Sequence, residues 1–368
     1  MTSGLFAFLQ GTSRRWRDLD LGPDEFLALC EREEIGCLVF AQLAGADGAI
    51  DWPSDVRSEL ARIAREAAAV EMVRRREVGA VLESLRACGV RAIVIKGAAL
   101  AYTVYDDPIA RPRLDTDLLI DESGITNART ALAACGYTAP PYCDMLMSQF
   151  QMEKTDGFGV QHVFDVHWKI STQPVFAGVL TYADAAARAV PVPALGRDAA
   201  ALSTIDALLL ACIHPAMHHQ NAERMLWSYD IHLLASRLTR DELRDFAERA
   251  REKQVAAICA HALRRAQAAF ATSVPAEMVT ELESAAAEPS AAYLASHRKW
   301  HDELASSMRA MATVGDRVRL VRDVLLPRPS YMLGAYGLQG KPLALCLLPA
   351  LYVHRNVRGA WKILTGKK

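Results

Sequence analysis

The stretch RLDTDLLI, residues 113–120, places two aspartates in an otherwise apolar run. Side chains alternate along a β-strand, so Asp115 and Asp117 would point to the same face. Two carboxylates at that separation repel each other and resist burial unless something offsets their charge. Solvent, an arginine or a divalent cation could supply that offset. In the metal-free protein, neutralising either acid should therefore leave stability unchanged or raise it.

The residues before this stretch change from helical to strand periodicity. Residues 1–90 have helical apolar spacing, including a long charged helix for which Ser54 is the predicted N-cap and Gly89 the predicted end. The sequence VRAIVIKG, residues 90–97, is short, β-branched and apolar, as in a buried strand that stops at a glycine. A second strand is therefore expected at residues 114–120.

The residues after it predict more strands and then more helices. Residues 146–170 predict a hairpin that turns near Asp156 and Gly157, and helical spacing returns from about residue 203. The expected fold is α+β, with a small mixed-sheet core between helical flanks. Three domains are predicted: a helical N-terminal region at residues 1–90, a catalytic core at 91–200 and a helical C-terminal domain at 201–368.

Composition excludes some classes of protein. The 368 residues include 42 basic and 43 acidic side chains, and this near-neutral balance argues against bulk binding of nucleic acid. The eight cysteines form no CxxC pair, which favours reduced thiols and a cytoplasmic location.

A third acid, Asp165, lies in the predicted strand HVFDVHW, where alternation places it on the same face as His167. If the strands are neighbours, three carboxylates converge into the oxygen-rich site that Mg²⁺ prefers, with a substrate triphosphate supplying further ligands. Two metal ions about 4 Å apart could clamp the attacking and leaving oxygens of a phosphoryl displacement. Asp165 could also accept the proton of an incoming hydroxyl. The alternative is a structural ion pair between Asp165 and Arg111 or Arg113.

Residues 93–120, IVIKGAALAYTVYDDPIARPRLDTDLLI, and the later DVHWKI, residues 165–170, resemble the uncharacterised nucleotidyltransferase family of the polymerase-β-type superfold. The resemblance spans about residues 90 to 235 and is expected to reach LLPRPSYM near the C-terminus. The wider superfold has Gly-Ser or Gly-Gly where this chain has Gly97-Ala98, so a hydroxyl contact to phosphate is unavailable here. The resemblance implies that the metal is bound by Asp115, Asp117 and Asp165. It also implies that the nucleotide is bound by Lys96, Gly97 and Arg111. His167 and Trp168 match the family's motif as well.

The implied activity is transfer of a nucleoside monophosphate from an NTP to an acceptor hydroxyl, with two Mg²⁺ ions, or Mn²⁺, as cofactors. The same acids could serve a kinase that transfers a phosphoryl group. A third hypothesis is a degenerate nucleotide-binding or partner-binding module without turnover. The sequence does not identify the acceptor.

Two later features leave alternatives open. His214 and His218 lie four residues apart on a predicted helix, a spacing that permits zinc binding. However, Pro215 lies between them and no HExxH glutamate is present, so core or substrate-facing histidines are favoured. Asp230 could line the substrate cleft or orient a helix.

The tail from Gly340 contains six Lys or Arg residues and no acid, and it carries both leucines and aromatic residues. One interpretation is a C-terminal helix packed on the domain. The other is weak peripheral docking on an anionic membrane, which would bring the enzyme to a membrane-bound acceptor.

Overall fold

The structure is a computed structural model, and it describes residues 3–44, 51–140, 148–285, 287–295, 300–311, 313–338, 340–341 and 343–365. Its strands are β1 (Ile93–Ile95), β2 (Thr116–Leu119), β3 (Gln149–Thr155), β4 (Gln161–His167), β5 (Val190–Pro191) and β6 (Ala200–Ala201). They form one six-stranded sheet in the order β3-β4-β2-β1-β6-β5. The β2–β4 and β1–β6 pairs are parallel and the other pairs are antiparallel. This mixed sheet with helical flanks confirms the predicted α+β class.

Helices precede, interrupt and follow the sheet. Their bounds are α1 (Ser3–Leu9), α2 (Pro23–Glu33), α3 (Gly36–Ala44), α4 (Ser54–Ala87), α5 (Lys96–Thr103), α6 (Ile125–Ala134), α7 (Pro174–Ala177), α8 (Tyr182–Arg188), α9 (Thr204–His218), α10 (Met225–Ser236), α11 (Arg240–Glu252), α12 (Ala256–Phe270), α13 (Ala276–Glu283), α14 (Trp300–Ala310), α15 (Val314–Leu325), α16 (Pro329–Ala335) and α17 (Leu348–Thr365). Within the described part of the chain, no helix is both long enough and apolar enough to cross a membrane.

The ends of α4 show one correct and one incorrect prediction. Ser54 is the first helical residue, and Pro53 takes the N-cap position with no side-chain cap. The prediction of Ser54 as N-cap was wrong because the fixed φ of Pro53, −54°, already leads the chain into the helix. At the other end, Gly89 adopts φ +77°, and the amide of Val90 donates to the Leu85 carbonyl at 2.8 Å. This is the left-handed glycine termination that the sequence predicted.

The two faces of the sheet pack into different cores. Val94 and Leu118 contribute to a core shared with α4 and α6. Ile95 and Leu119 contribute to a core shared with the N-terminal helices and with α9 to α13. Because side chains alternate, Asp117 lies on the same face as Leu119, toward the C-terminal helices. The three predicted domain ranges stay a prediction.

Candidate metal centre

Two of the predicted acids lie on neighbouring strands. In the parallel β2–β4 pair, Asp117 is directly opposite Asp165, and Leu119 is opposite His167. Because the facing residues share one side of the sheet, the ligand atoms of Asp117, Asp165 and His167 all lie within 4.8 Å of one another. The condition set by the sequence, that the two strands be neighbours, is therefore met.

Asp117 is a buried carboxylate with two basic neighbours. Its Oδ1 accepts a hydrogen bond from Lys96 Nζ at 2.7 Å and lies 2.8 Å from His167 Nε2. Burial alone would raise the pKa of Asp117, but Lys96 first and His167 second outweigh that effect and lower it. Asp117 is therefore ionised in the folded protein.

Lys96 reaches Asp117 from the junction of β1 and α5. Its backbone adopts φ +54°, a left-handed conformation that is uncommon for a residue with a side chain. The strand ends at Ile95 and the helix begins at Lys96, so this strained residue makes the turn between them. The ammonium group that the sequence predicted for phosphate binding is placed beside the acids.

Asp165 has one satisfied and one unsatisfied oxygen. Oδ2 accepts a hydrogen bond from Gln149 Nε2 at 3.2 Å, whereas Oδ1 is buried and accepts no hydrogen bond from the residues that the structure describes. His167 Nδ1 is also buried, and it has no hydrogen-bond partner within the described part of the chain. Burial, and then repulsion by Asp117, raise the pKa of Asp165. Because buried unpaired acceptors are costly, this donor set fits a divalent cation.

Asp115 lies one residue before β2 and is outside the three-residue group. Its side chain reaches solvent, yet the surrounding protein removes much of the water near its carboxyl group. That desolvation, followed by repulsion from Asp117 and Asp165, raises the pKa of Asp115 to about 6. Asp115 therefore lies on the solvent side of the site, and it is close enough to Asp117 and Asp165 for their charges to raise its pKa.

Arg111 makes an internal ion pair with a helix of the C-terminal half. Its Nε and Nη2 donate to Asp230 at 2.8 Å each, and its Nη1 donates to the Pro112 carbonyl at 2.7 Å. Tyr105 Oη also donates to Asp230, at 2.7 Å. The guanidinium lies against Gly97, where an added Cβ would be 3.4 Å from Nη1. This geometry favours a positioning role for Arg111 over the predicted phosphate contact.

Arg113 is also engaged internally. Its Nη2 donates to Glu71 at 2.7 Å, and its side chain is 3% exposed. The same glutamate accepts the Tyr102 hydroxyl. The alternative considered for Asp165, an ion pair with Arg111 or Arg113, does not form, because both guanidinium groups bind other carboxylates.

The histidines on α9 lie near the site. The rings of His214 and His218 are 5.5 Å apart, and His218 Nε2 lies 3.2 Å from the Ile170 carbonyl oxygen. Burial and then the Lys96 charge lower the pKa of His218 to about 4, so this histidine is neutral at pH 7. Among the described residues, neither histidine belongs to a cluster with metal-ligand spacing. The structure therefore favours substrate-facing or core histidines over zinc ligands.

A small cavity of about 60 Å³ connects Lys96 and Gly97 with His214, Trp227 and Asp230. Its lining comes mainly from α5, α9 and α10.

Sequence reasoning missed two contacts at the centre. It assigned Lys96 to phosphate alone, and it did not consider Gln149, which hydrogen-bonds Asp165. Alternation in QFQMEKT would have grouped Gln149 with Gln151, but only the β3–β4 register places them beside His167 and Asp165.

A mixed sheet that presents paired acids beside a strand-to-helix lysine defines a nucleotidyltransferase-like protein with a site suited to a metal. The family model described as "uncharacterised nucleotidyltransferase" matches residues 20–271, more than half of the chain, and the chain belongs to that family. The match begins well before the resemblance found in the sequence and stops before LLPRPSYM. No curated protein and no solved structure matches the chain.

Proposed function

We propose that this protein transfers a nucleoside monophosphate from an NTP to an acceptor hydroxyl and releases pyrophosphate. The observation that carries the proposal is the in-register pair Asp117 and Asp165, one ionised and one with an unpaired buried oxygen, beside Lys96. The family membership supports the same class of reaction.

Asp117 and Asp165 would hold Mg²⁺ or Mn²⁺, with Asp115 joining from the entrance and His167 contributing or orienting Asp117. The ion would neutralise charge on the triphosphate and polarise the reacting phosphorus. The two carboxylates provide the oxygen ligands that such hard cations prefer.

In this proposal Asp165 also accepts the proton of the acceptor hydroxyl. The hydroxyl oxygen forms a bond to the α-phosphorus, and the bond from that phosphorus to the bridging oxygen of the β-phosphate breaks. The electron pair of the broken bond leaves with pyrophosphate, and the hydroxyl proton moves to the Asp165 carboxylate. A carboxylate positioned beside the reacting hydroxyl is a common general base.

Lys96 would exchange partners when the substrate binds. Its ammonium balances Asp117 in the absence of a metal, and a metal ion at that carboxylate would take over that function. Lys96 could then contact a phosphate oxygen, while Gly97 lets the backbone approach the substrate closely. Arg111 stays bound to Asp230 and holds the loop before β2 in place.

The test separates nucleotidyl transfer from phosphoryl transfer and from a module without turnover. The protein is incubated with a metabolite extract and with an NTP labelled at either the α- or the γ-phosphate. Mg²⁺-dependent transfer of the α-label, with release of unlabelled pyrophosphate, is expected. Transfer of the γ-label would establish a kinase instead, and no transfer with any NTP would favour the binding module.

Two variants test the assigned roles. Asp165→Asn should reduce turnover by about 100-fold or more, the typical contribution of a general base, and leave NTP binding weakened but detectable. Asp245→Asn, an exposed change on α11, is the matched control and should behave as wild type. Equal loss of binding and turnover in Asp165→Asn would make it a metal ligand only, and unchanged kinetics would remove it from the site.

A further inference from the structure

Charge is distributed very unevenly along this near-neutral chain. Of its 42 basic and 43 acidic residues, ten basic and two acidic ones lie within residues 313–368. That segment therefore carries a net charge of +8, and the preceding 312 residues carry −9. The two acids of the segment already have partners, because Asp316 lies 3.4 Å from Arg319 and Asp323 lies 2.6 Å from Arg322.

The same segment holds most of the exposed apolar side chains. Fifteen large apolar residues are exposed in the described part of the chain, and eleven of them lie between residues 314 and 361. We define the C-terminal apolar surface by Val314, Val318 and Leu325 of α15 and by Val353, Val357 and Trp361 of α17. The spacing of four or seven residues places each set on one face of its helix.

The two helices belong to one local unit. The side-chain amide of Asn356 donates to the Leu325 carbonyl at 3.0 Å, and Arg355 Nη1 donates to the Val324 carbonyl at 2.7 Å. Tyr352 Oη donates to the Pro327 carbonyl at 2.6 Å. These contacts hold the end of α15 against α17 while Val318 and Val357, each 63% exposed, face solvent.

We propose that this surface docks the protein on an anionic phospholipid bilayer. Apolar side chains would enter the interfacial region, and the surrounding basic residues would contact lipid phosphates. Because α15 takes part as well as α17, the docking surface is larger than the tail from Gly340 that the sequence indicated. Lys367 and Lys368, which also belong to that tail, lie outside the described residues.

A second copy of the chain fits the surface less well. Pairing through the same surface would bring two +8 segments together, which is unfavourable at moderate salt. Pairing with the acidic part of another copy would satisfy charge but not the apolar faces. Only four exposed large apolar residues are described there, namely Met72, Leu114, Phe158 and Val190, against eleven in the C-terminal segment.

The test is co-sedimentation of the full chain with vesicles of phosphatidylglycerol and phosphatidylcholine, or of phosphatidylcholine alone. Binding to the anionic vesicles should be at least about tenfold stronger, since each basic residue near such a surface contributes favourably. It should also weaken sharply between about 0.1 M and about 1 M salt, where the screening length shortens from about 10 Å to about 3 Å.

Two sets of variants separate the apolar and the charged contributions. The triple variant Val318→Ser, Val353→Ser and Val357→Ser removes apolar contact without changing charge, and its control is Phe158→Ser, at a still more exposed site outside the segment. The triple variant Arg328→Gln, Lys341→Gln and Arg358→Gln removes three charges, and its control is Arg57→Gln, Arg65→Gln and Arg240→Gln. Both test variants should lose at least about tenfold in binding, and both controls should bind as wild type.

Several results would overturn the proposal. One is the absence of pelleting with anionic vesicles at low salt, and another is equal binding by test and control variants. A third is a lipid-free oligomer, seen by light scattering, that the valine variant disrupts, since that result would assign the surface to a second copy. Asp117→Asn should bind vesicles as wild type does, so failure of the proposed catalysis would leave this result unaffected.

Discussion

Asp115 and Asp117 carry the same charge but have different surroundings. Asp117 is ion-paired with Lys96, and its pKa is lowered, whereas desolvation and repulsion raise the pKa of Asp115 to about 6. The folded protein therefore stabilises the charged form of Asp117 and disfavours the charged form of Asp115. The sequence predicted that either acid could be neutralised without loss of stability, but the ion pair between Asp117 and Lys96 leads us to expect a loss for Asp117.

In the metal-free protein, we expect Asp115→Asn and Asp117→Asn to have opposite effects on the free energy of unfolding. For Asp115, the folded pKa exceeds the unfolded value of about 3.9, so its contribution becomes unfavourable as pH rises through about 6. At pH 8, Asp115→Asn should raise the free energy of unfolding by up to about 1 kcal/mol, a value reduced by its exposure. Asp117→Asn should lower it by about 2 kcal/mol, because Lys96 would lose its partner.

Urea denaturation with a chelator at pH 8 measures both values, and Asp245→Asn provides the control. At pH 4, close to the unfolded pKa, the gain from Asp115→Asn should largely disappear. Shifts of the same sign for both variants at pH 8 would contradict this account of the two acids.

At the level of secondary-structure elements, the Arg111–Asp230 pair joins the loop before β2 to α10. Arg111 is 9% exposed and Asp230 is 3% exposed. Burial opposes the charge on Arg111, but Asp230 outweighs that effect and raises the pKa of Arg111. Removing one member of such a pair leaves the other buried and uncompensated.

A double-mutant cycle tests this positioning role. Arg111→Met and Asp230→Leu should each lower the free energy of unfolding by about 3 kcal/mol or more, and the double variant should lose clearly less than their sum. Tyr105→Phe is included in a parallel cycle because the tyrosine hydroxyl also binds Asp230. If Arg111 contacts phosphate instead, Arg111→Met alone should weaken NTP binding while Asp230→Leu does not.

The strands themselves were predictable from local pattern. The apolar run before Lys96 and the alternation around Asp117 predicted β1 and β2, because burial on a sheet imposes a period of two. The pairing of β2 with β4 depends on contacts between residues far apart in sequence, and the sequence gives no direct measure of them. The convergence of Asp117 with Asp165 could therefore be stated only conditionally.

The ion pair of Arg111 could not be predicted for a similar reason. Its partner, Asp230, lies 119 residues later, and either residue alone is compatible with a cleft. The positions of arginine and lysine near paired acids indicated a cation near the metal centre. Only tertiary structure shows that Lys96 pairs with Asp117 and that Arg111 pairs with Asp230.

At the scale of the whole molecule, the site lies where several parts of the chain meet. Asp117 and Asp165 come from the sheet, Lys96 begins α5, and the adjoining cavity is closed by α9 and α10. The core on this face of the sheet includes residues from Leu5 to Tyr293. A ligand that binds only the folded site should therefore stabilise this part of the protein as a unit.

We expect Mg²⁺ together with an α,β-methylene NTP, which resists cleavage at the reacting bond, to raise the free energy of unfolding. One-site binding at about 100 times the dissociation constant gives about 2.7 kcal/mol. Chemical denaturation of the full chain, with each common nucleotide analogue, measures the change. Asp117→Asn should abolish it because the metal loses its ionised ligand, and Asp245→Asn should retain it. The same stabilisation with nucleotide and chelator, or in Asp117→Asn, would show that the nucleotide binds without the proposed metal centre.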